Sequence, residues 1–270
     1  MDIHYAVNDR IASITLNRPE KRNALSPELI AGLKEAFQQA ATDDRVKVVI
    51  LKANGDSFCA GADLAYLQKL QHFSYEENLA DSLQLKELFL QIYSFKKIVI
   101  AQVQGAALAG GCGLVTVCDL CFSSPDAMFG YTEVKIGFVP ALVAVFLLRK
   151  FGEAQARNLL LTGTVFTPDE MKRIGIVTDV FSKDALSEEV EKFTARLIRS
   201  NSNQAMMLTK KMLTDHQSDQ LNESLIWAAE LNATARNSDD CRRGIAAFLN
   251  KQKMDWTAII CLGLYVVCLS

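Results

Sequence analysis

Two periods of hydrophobic and polar positions alternate along the first two-thirds of the chain. Residues Ile11–Leu16 alternate with period two and run into Asn17-Arg18-Pro19, which reads as a strand entering a loop. Ser26-Pro27-Glu28 is a helix opening, with Ser able to cap and Pro suited to the first helical position. Ile30, Leu33, Phe37 and Ala40 then fall on one helical face. The runs 46–51 and Ile98–Val103 are nearly continuous and apolar, as expected of strands buried on both faces of a parallel sheet. Residues 120–122 and 176–181 are further strand candidates, and helical spacing marks 64–70, 76–94, 110–117, 141–150, 153–161 and 168–173. So regular an alternation predicts an α/β fold with right-handed crossovers.

Beyond residue 185 the pattern changes. Segments 187–198, 206–214, 221–237 and 239–250 are helical one after another, with no strand candidate among them. The expected organisation is a core over 1–195, a helical region over 196–256 that packs on the core or on a neighbouring subunit, and a tail over 257–270. Leu221, Leu225, Ala228, Leu231 and Ala235 recur at helical spacing and need a partner surface. The tail carries no charge and is apolar at most positions, yet falls short of the roughly 18–20 residues that span a bilayer.

Composition narrows the function. The chain has 270 residues, 50% hydrophobic and 22% charged, which excludes disorder as a description of the whole. Its net charge of −2 lacks the electrostatic footprint of a general nucleic-acid binder. Seven scattered cysteines suggest free thiols in a reducing compartment, and the first residues lack the apolar run of a signal peptide. A cytoplasmic protein with no membrane or nucleic-acid partner is expected. The three histidines, His4, His72 and His216, lie outside any glycine-rich stretch, which argues against triad hydrolysis.

Two segments have the composition of a site. Residues 57–64, Ser-Phe-Cys-Ala-Gly-Ala-Asp-Leu, follow one predicted strand and precede a helix. Residues 104–113, Gln-Gly-Ala-Ala-Leu-Ala-Gly-Gly-Cys-Gly, do the same after the next. Small residues admit close approach to the backbone, and the first N–H groups of a helix are unpaired at its positive pole. Two such loops can aim two N–H groups at one oxygen, the construction of an oxyanion hole. No phosphate-loop or dinucleotide fingerprint occurs at these turns. Cys118 and Cys121 form a C-x-x-C without a second pair, so a metal site is not expected. Cys112, at a helix start, is a candidate for a lowered thiol pKa but has no histidine base.

Four motifs together carry a resemblance: residues 17–25 (Asn-Arg-Pro-Glu-Lys-Arg-Asn-Ala-Leu), 58–64, 105–113 with Cys118-Asp119, and 129–137 (Phe-Gly-Tyr-Thr-Glu-Val-Lys-Ile-Gly). In this order and spacing they resemble the crotonase, or enoyl-CoA hydratase/isomerase, superfamily over about residues 3–256. The resemblance implies a ClpP/crotonase fold of repeated ββα units with a C-terminal trimerisation region, assembled as a homotrimer or dimer of trimers. It implies an acyl-CoA thioester substrate, with coenzyme A part of that substrate and no separate cofactor. By position the oxyanion donors are the N–H groups of Ala60 and Gly110. Ala60, Asp63 and Leu64 border the adenine site, Ala62 and Gly113 are further substrate-binding positions, and Arg22 and Lys251 are candidates to reach CoA phosphates. Of the two catalytic glutamates typical of hydratases, Glu133 matches the second, whereas Gly113 stands at the first.

One carboxylate leaves two reactions open. Glu133 can activate water for addition across C2=C3, or move a proton between C2 and C4 of a 3-enoyl-CoA. Residues 109–114 and 132–141 are similar to a methylglutaconyl-CoA hydratase-like branch of leucine degradation, which favours hydration. A substrate of that kind carries its own carboxylate, and Lys135 and Arg149 are the basic candidates. An inactive acyl-CoA-binding homologue is the remaining alternative.

Overall fold

In the computed structural model, which describes residues 2–216 and 218–257, strands and helices follow one another as β1 (Ile3–Asn8), β2 (Ile11–Leu16), α1 (Pro27–Thr42), β3 (Val48–Ala53), β4 (Ser57–Cys59), α2 (Leu64–Leu70), α3 (Tyr75–Tyr93), β5 (Ile98–Val103), β6 (Ala106–Leu108), α4 (Gly110–Val117), β7 (Leu120–Ser123), β8 (Phe129–Gly130), α5 (Ala141–Thr162), β9 (Val165–Phe166), α6 (Pro168–Ile174), β10 (Asp179–Val180), α7 (Leu186–Ser200), α8 (Asn203–Asp215), α9 (Ser218–Arg236) and α10 (Asp239–Leu249). The ββα repeat is explicit. β3, β5 and β7 lie side by side in one sheet, ordered β1-β2-β3-β5-β7-β10. Each is followed by a short strand of a second sheet, ordered β4-β6-β8-β9, and then by a helix.

The β-branched runs form the strands for the expected reason. Within β3 and β5, Val49, Leu51, Val99 and Ala101 enter the main core, while Val48, Ile50 and Ile100 pack on the other face against Leu186 and Val190 of α7. Both faces are dry, so nearly every position is apolar. The pairing is parallel from β2 through β7, with Val48 opposite Ile98 and Ile100 opposite Leu120. Ser26 caps α1 by accepting from the Leu29 N–H, with Pro27 in the first turn. Gly152, with φ of 80°, breaks α5 where two helices were expected.

The structure narrows this reading at three places. The strand over 176–181 shrinks to Asp179–Val180. β1, an edge strand antiparallel to β2, went unread although Ile3, Tyr5 and Val7 alternate with exposed positions. Of the two packings expected for the C-terminal helices, α9 shows packing on the core: Leu221, Leu225 and Ala228 are buried in the main core of their own chain, while Leu231 of the same stripe is exposed. α10 folds over the segment after β8, where a Cβ on Gly244 would lie 2.2 Å from the Ile136 carbonyl oxygen. No helix among the described residues is long and apolar enough to cross a membrane. Apart from Thr257, the apolar tail lies outside the described residues.

Candidate active site

The two glycine-rich loops leave adjacent parallel strands, β4 and β6, and are pressed against each other. A Cβ on Gly111 would stand 2.1 Å from the Cys59 carbonyl oxygen, so only glycine permits this approach. The Asn17-to-Leu25 motif holds the first loop from behind. Asn23, buried with φ of 53°, donates through its amide to the carbonyls of Asn54 and Ser57, both at 2.9 Å. Arg18 pairs with Asp63 at 3.3 Å, and Asp63 in turn accepts from the backbone N–H groups of Ala65 and Tyr66 as the N-cap of α2.

These bonds revise the assignment of the backbone donors. The Ala60 N–H donates to the Arg22 carbonyl at 3.0 Å and is therefore occupied. Leu25 bridges in parallel to Ala62: its N–H donates to the Gly61 carbonyl, and its carbonyl accepts from the Asp63 N–H. In that geometry the N–H of Ala62 points away from Leu25, and no acceptor for it occurs among the described residues. Ala62 thus supplies a free donor in this loop. Gly110 keeps its expected place as the first residue of α4, where a helical N–H has no acceptor one turn back. The preceding Ala109 has φ of 49° and ψ of −124°, a conformation L-residues rarely adopt. This strained peptide sets the entry angle of α4.

Ala60, Ala62, Ala109 and Gly110 border a cavity of 310 Å³ that Glu133 also lines. Glu133 opens a 3-10 turn over Glu133–Ile136, and Oε2 of its carboxyl is buried without a hydrogen-bond partner. Burial raises its pKa to about 7, against a smaller opposing effect from its own backbone N–H. A carboxyl poised near neutrality beside free backbone donors suits general acid–base work on a thioester. Much of the remaining wall is apolar, including Leu25, Leu67, Leu85, Phe89, Val139 and Leu142.

The other expected site residues fall outside this cavity. Gly113 is buried and does not line it; a side chain there would begin 2.7 Å from Phe89 Cζ, so the Phe89 ring fills that space. Asp63 is occupied as cap and ion-pair partner, Leu64 is exposed on α2, and Arg22 and Lys251 are exposed away from the cavity lining. Of the two basic candidates, Lys135 lines the cavity. Arg149 does not: its guanidinium donates to Tyr93 and to the carbonyls of Leu213, Thr214 and His216, closing the end of α8. Cys112 is no activated thiol, because burial pushes its pKa up to about 12. His4, His72 and His216 are absent from the lining. Arg236, Asn232 and Asp81 are present in it, and no motif announced them.

Comparison with known proteins gives the family. Residues 6–258 match the enoyl-CoA hydratase/isomerase family model. The chain is 32% identical over 250 residues to crotonyl-CoA hydratase of Syntrophomonas wolfei, covering 92% of this chain and 95% of that one. It is also 32% identical over 250 residues to 2,3-dehydroadipyl-CoA hydratase of Escherichia coli, with the same coverage of both. The crystal structure of an enoyl-CoA hydratase from Mycobacterium avium superposes with a TM-score of 0.83 at 31% identity, covering 94% of this chain and 98% of that one. With the repeated ββα core, the paired loops and Glu133 in place, the chain belongs to the enoyl-CoA hydratase/isomerase family.

Proposed function

We propose that this enoyl-CoA hydratase adds water across C2=C3 of a short or branched 2-enoyl-CoA, with Glu133 as its single acid–base residue. The observation that carries the reading is the buried Glu133 carboxyl, whose Oε2 has no hydrogen-bond partner, in the lining of the cavity that Ala62 and Gly110 border. The ionised carboxylate accepts a proton from water as the water oxygen bonds to C3. Negative charge then moves to the thioester oxygen, where the Ala62 and Gly110 N–H groups stabilise the enolate. Protonated Glu133 returns the proton to C2, so water is added with no net change in the enzyme. The reaction uses no group beyond the coenzyme A of the substrate. Asp81, the other carboxylate of the wall, is paired with Arg236 and is not available as a base.

The relatives named above are a crotonyl-CoA hydratase and a 2,3-dehydroadipyl-CoA hydratase, which supports a 2-enoyl-CoA as the substrate of this chain. We further propose a homotrimer or dimer of trimers. Leu208, Met212 and Leu213 of α8 and Trp227 and Leu231 of α9 are exposed and supply apolar surface for subunit contact. The decisive experiment incubates the purified chain with crotonyl-CoA, 3-methylglutaconyl-CoA and a 3-enoyl-CoA while following the conjugated thioester absorbance. Loss of conjugation with a 2-enoyl substrate is expected. A gain with the 3-enoyl substrate alone would make the enzyme an isomerase, and no change with any of them would make the chain a binding protein.

A further inference from the structure

Hydration leaves a second polar cluster of the cavity wall without a task. Tyr66 of α2, Asp81 of α3, and Asn232 and Arg236 of α9 all border the cavity. Arg236 Nη1 donates to Asp81 Oδ2, and Arg236 Nε donates to Asn232 Oδ1 at 3.0 Å. The Tyr66 hydroxyl donates to Asp81 Oδ1 at 2.5 Å, so both oxygens of Asp81 are engaged. The Phe138 ring lies 5.3 Å from the guanidinium carbon. Arg236 is thereby fixed in one orientation.

The donor count is unfinished. A guanidinium carries five N–H donors, and Arg236 spends one on Asp81 and one on Asn232. No acceptor for Nη2 occurs among the described residues, although the side chain is only 6% exposed. Nη2 is not among the buried polar atoms that lack a partner, so it keeps solvent access on the cavity wall and is available to a ligand there. The formally charged side chains lining the cavity are Asp81, Glu133, Lys135 and Arg236, two acidic and two basic, so what an incoming acyl end meets is set locally by Arg236 and not by a net charge of the wall. An acyl chain ending in a methyl group would leave those donors dry and unpaired. A planar carboxylate matches the fork of the guanidinium.

We propose that Arg236, oriented by Asp81 and Asn232, is a specificity-determining residue that receives a carboxylate at the end of the acyl chain. The preferred substrates are then 2-enoyl-CoA monothioesters of dicarboxylic acids. This inference rests on the hydratase reading. It concerns which acyl group is taken, so the two can fail separately.

Two isosteric pairs test it on the full chain: glutaconyl-CoA against pent-2-enoyl-CoA, and 2,3-dehydroadipyl-CoA against hex-2-enoyl-CoA. Each pair exchanges a carboxylate for a methyl. At one length or the other, kcat/KM is expected to be at least tenfold higher for the carboxylate. Arg236→Gln is expected to erase that ratio by a 10- to 100-fold loss on the carboxylate substrate, with less than threefold change on the methyl one; Arg236→Lys restores part of it. Asp81→Asn, which keeps the guanidinium and removes the competing charge, should preserve or enlarge the preference. It serves as the second variant if Arg236→Gln does not fold. A wild-type ratio of one or less at both lengths overturns the proposal. So does an equal loss on both substrates in Arg236→Gln, the signature of a merely structural ion pair. Calorimetric binding of glutaryl-CoA against pentanoyl-CoA reads the same discrimination without turnover. An inactive chain that still prefers glutaryl-CoA tenfold would therefore sink the hydratase reading and not this one.

Discussion

Replacing Glu133 with Gln separates catalysis from stability, and the structure sets the sign of both effects. The carboxyl is buried, with a pKa of about 7 against an ordinary 4.5. Below pH 4.5 the group is protonated in both folded and unfolded chains. Between the two values the folded protein keeps a proton that the unfolded chain has released, so rising pH favours unfolding. The loss is about 1.4 kcal/mol per pH unit, about 3 kcal/mol over the interval. Gln cannot ionise and escapes that loss, but it buries an unpaired amide at a cost of about 1–3 kcal/mol. The variant should thus be as stable as wild type or less so at pH 4.5, and should gain on it by about 3 kcal/mol by pH 8. Urea midpoints for both proteins from pH 4.5 to 8.5, at one protein concentration, measure the difference directly. Turnover should fall by about 10²–10⁴-fold with acyl-CoA affinity retained. In wild type kcat/KM should rise with pH through about 7, as the free enzyme's Glu133 becomes a carboxylate base. A difference in stability that does not change with pH would show that Glu133 is not held at a raised pKa. A variant retaining more than half of wild-type kcat would remove it from the mechanism.

Gly113→Glu should not restore a second catalytic carboxylate, because the new side chain meets the Phe89 ring; overpacking should cost about 1–3 kcal/mol by chemical denaturation. Coupling it with Phe89→Ala should recover part of that loss, and full stability in the single variant would refute the packing argument. Ala109→Gly relieves a strained φ/ψ worth about 1–3 kcal/mol and incurs up to about 1 kcal/mol of glycine entropy, so the melting temperature should hold or rise while kcat stays within twofold. A clear fall in melting temperature would contradict this. Trp227→Glu together with Leu208→Glu should shift a trimer or hexamer toward monomer in light scattering, and an unchanged mass would place the subunit contact elsewhere.

The long strands and most helices were legible because burial imposes a period on six or more consecutive residues. β3 and β5, dry on both faces, read as apolar runs; α1 read from one face and its Ser26 cap. The strands β4, β6, β8 and β9 have only two or three residues each, too few for any period to register, so the second sheet was expected only through the family resemblance. Glu133 and Gly110 were legible as motif residues. The identity of the other donor was not: Ala60 and Ala62 are equivalent in the sequence, and only the pairing of Leu25 with Ala62 fixes which peptide turns its N–H outward. The helical spacing of Leu221, Leu225 and Ala228 correctly required a partner surface but could not say that the same chain supplies it. Arg236 carries no local signature at all. It reaches the cavity because α9 lies back across α3, where Asp81 waits to pair with it. Local periodicity determined the elements, because side-chain direction repeats along a helix or strand. The orientation of single peptides and the meeting of distant charges belonged to the tertiary structure, because both depend on which segments pack together.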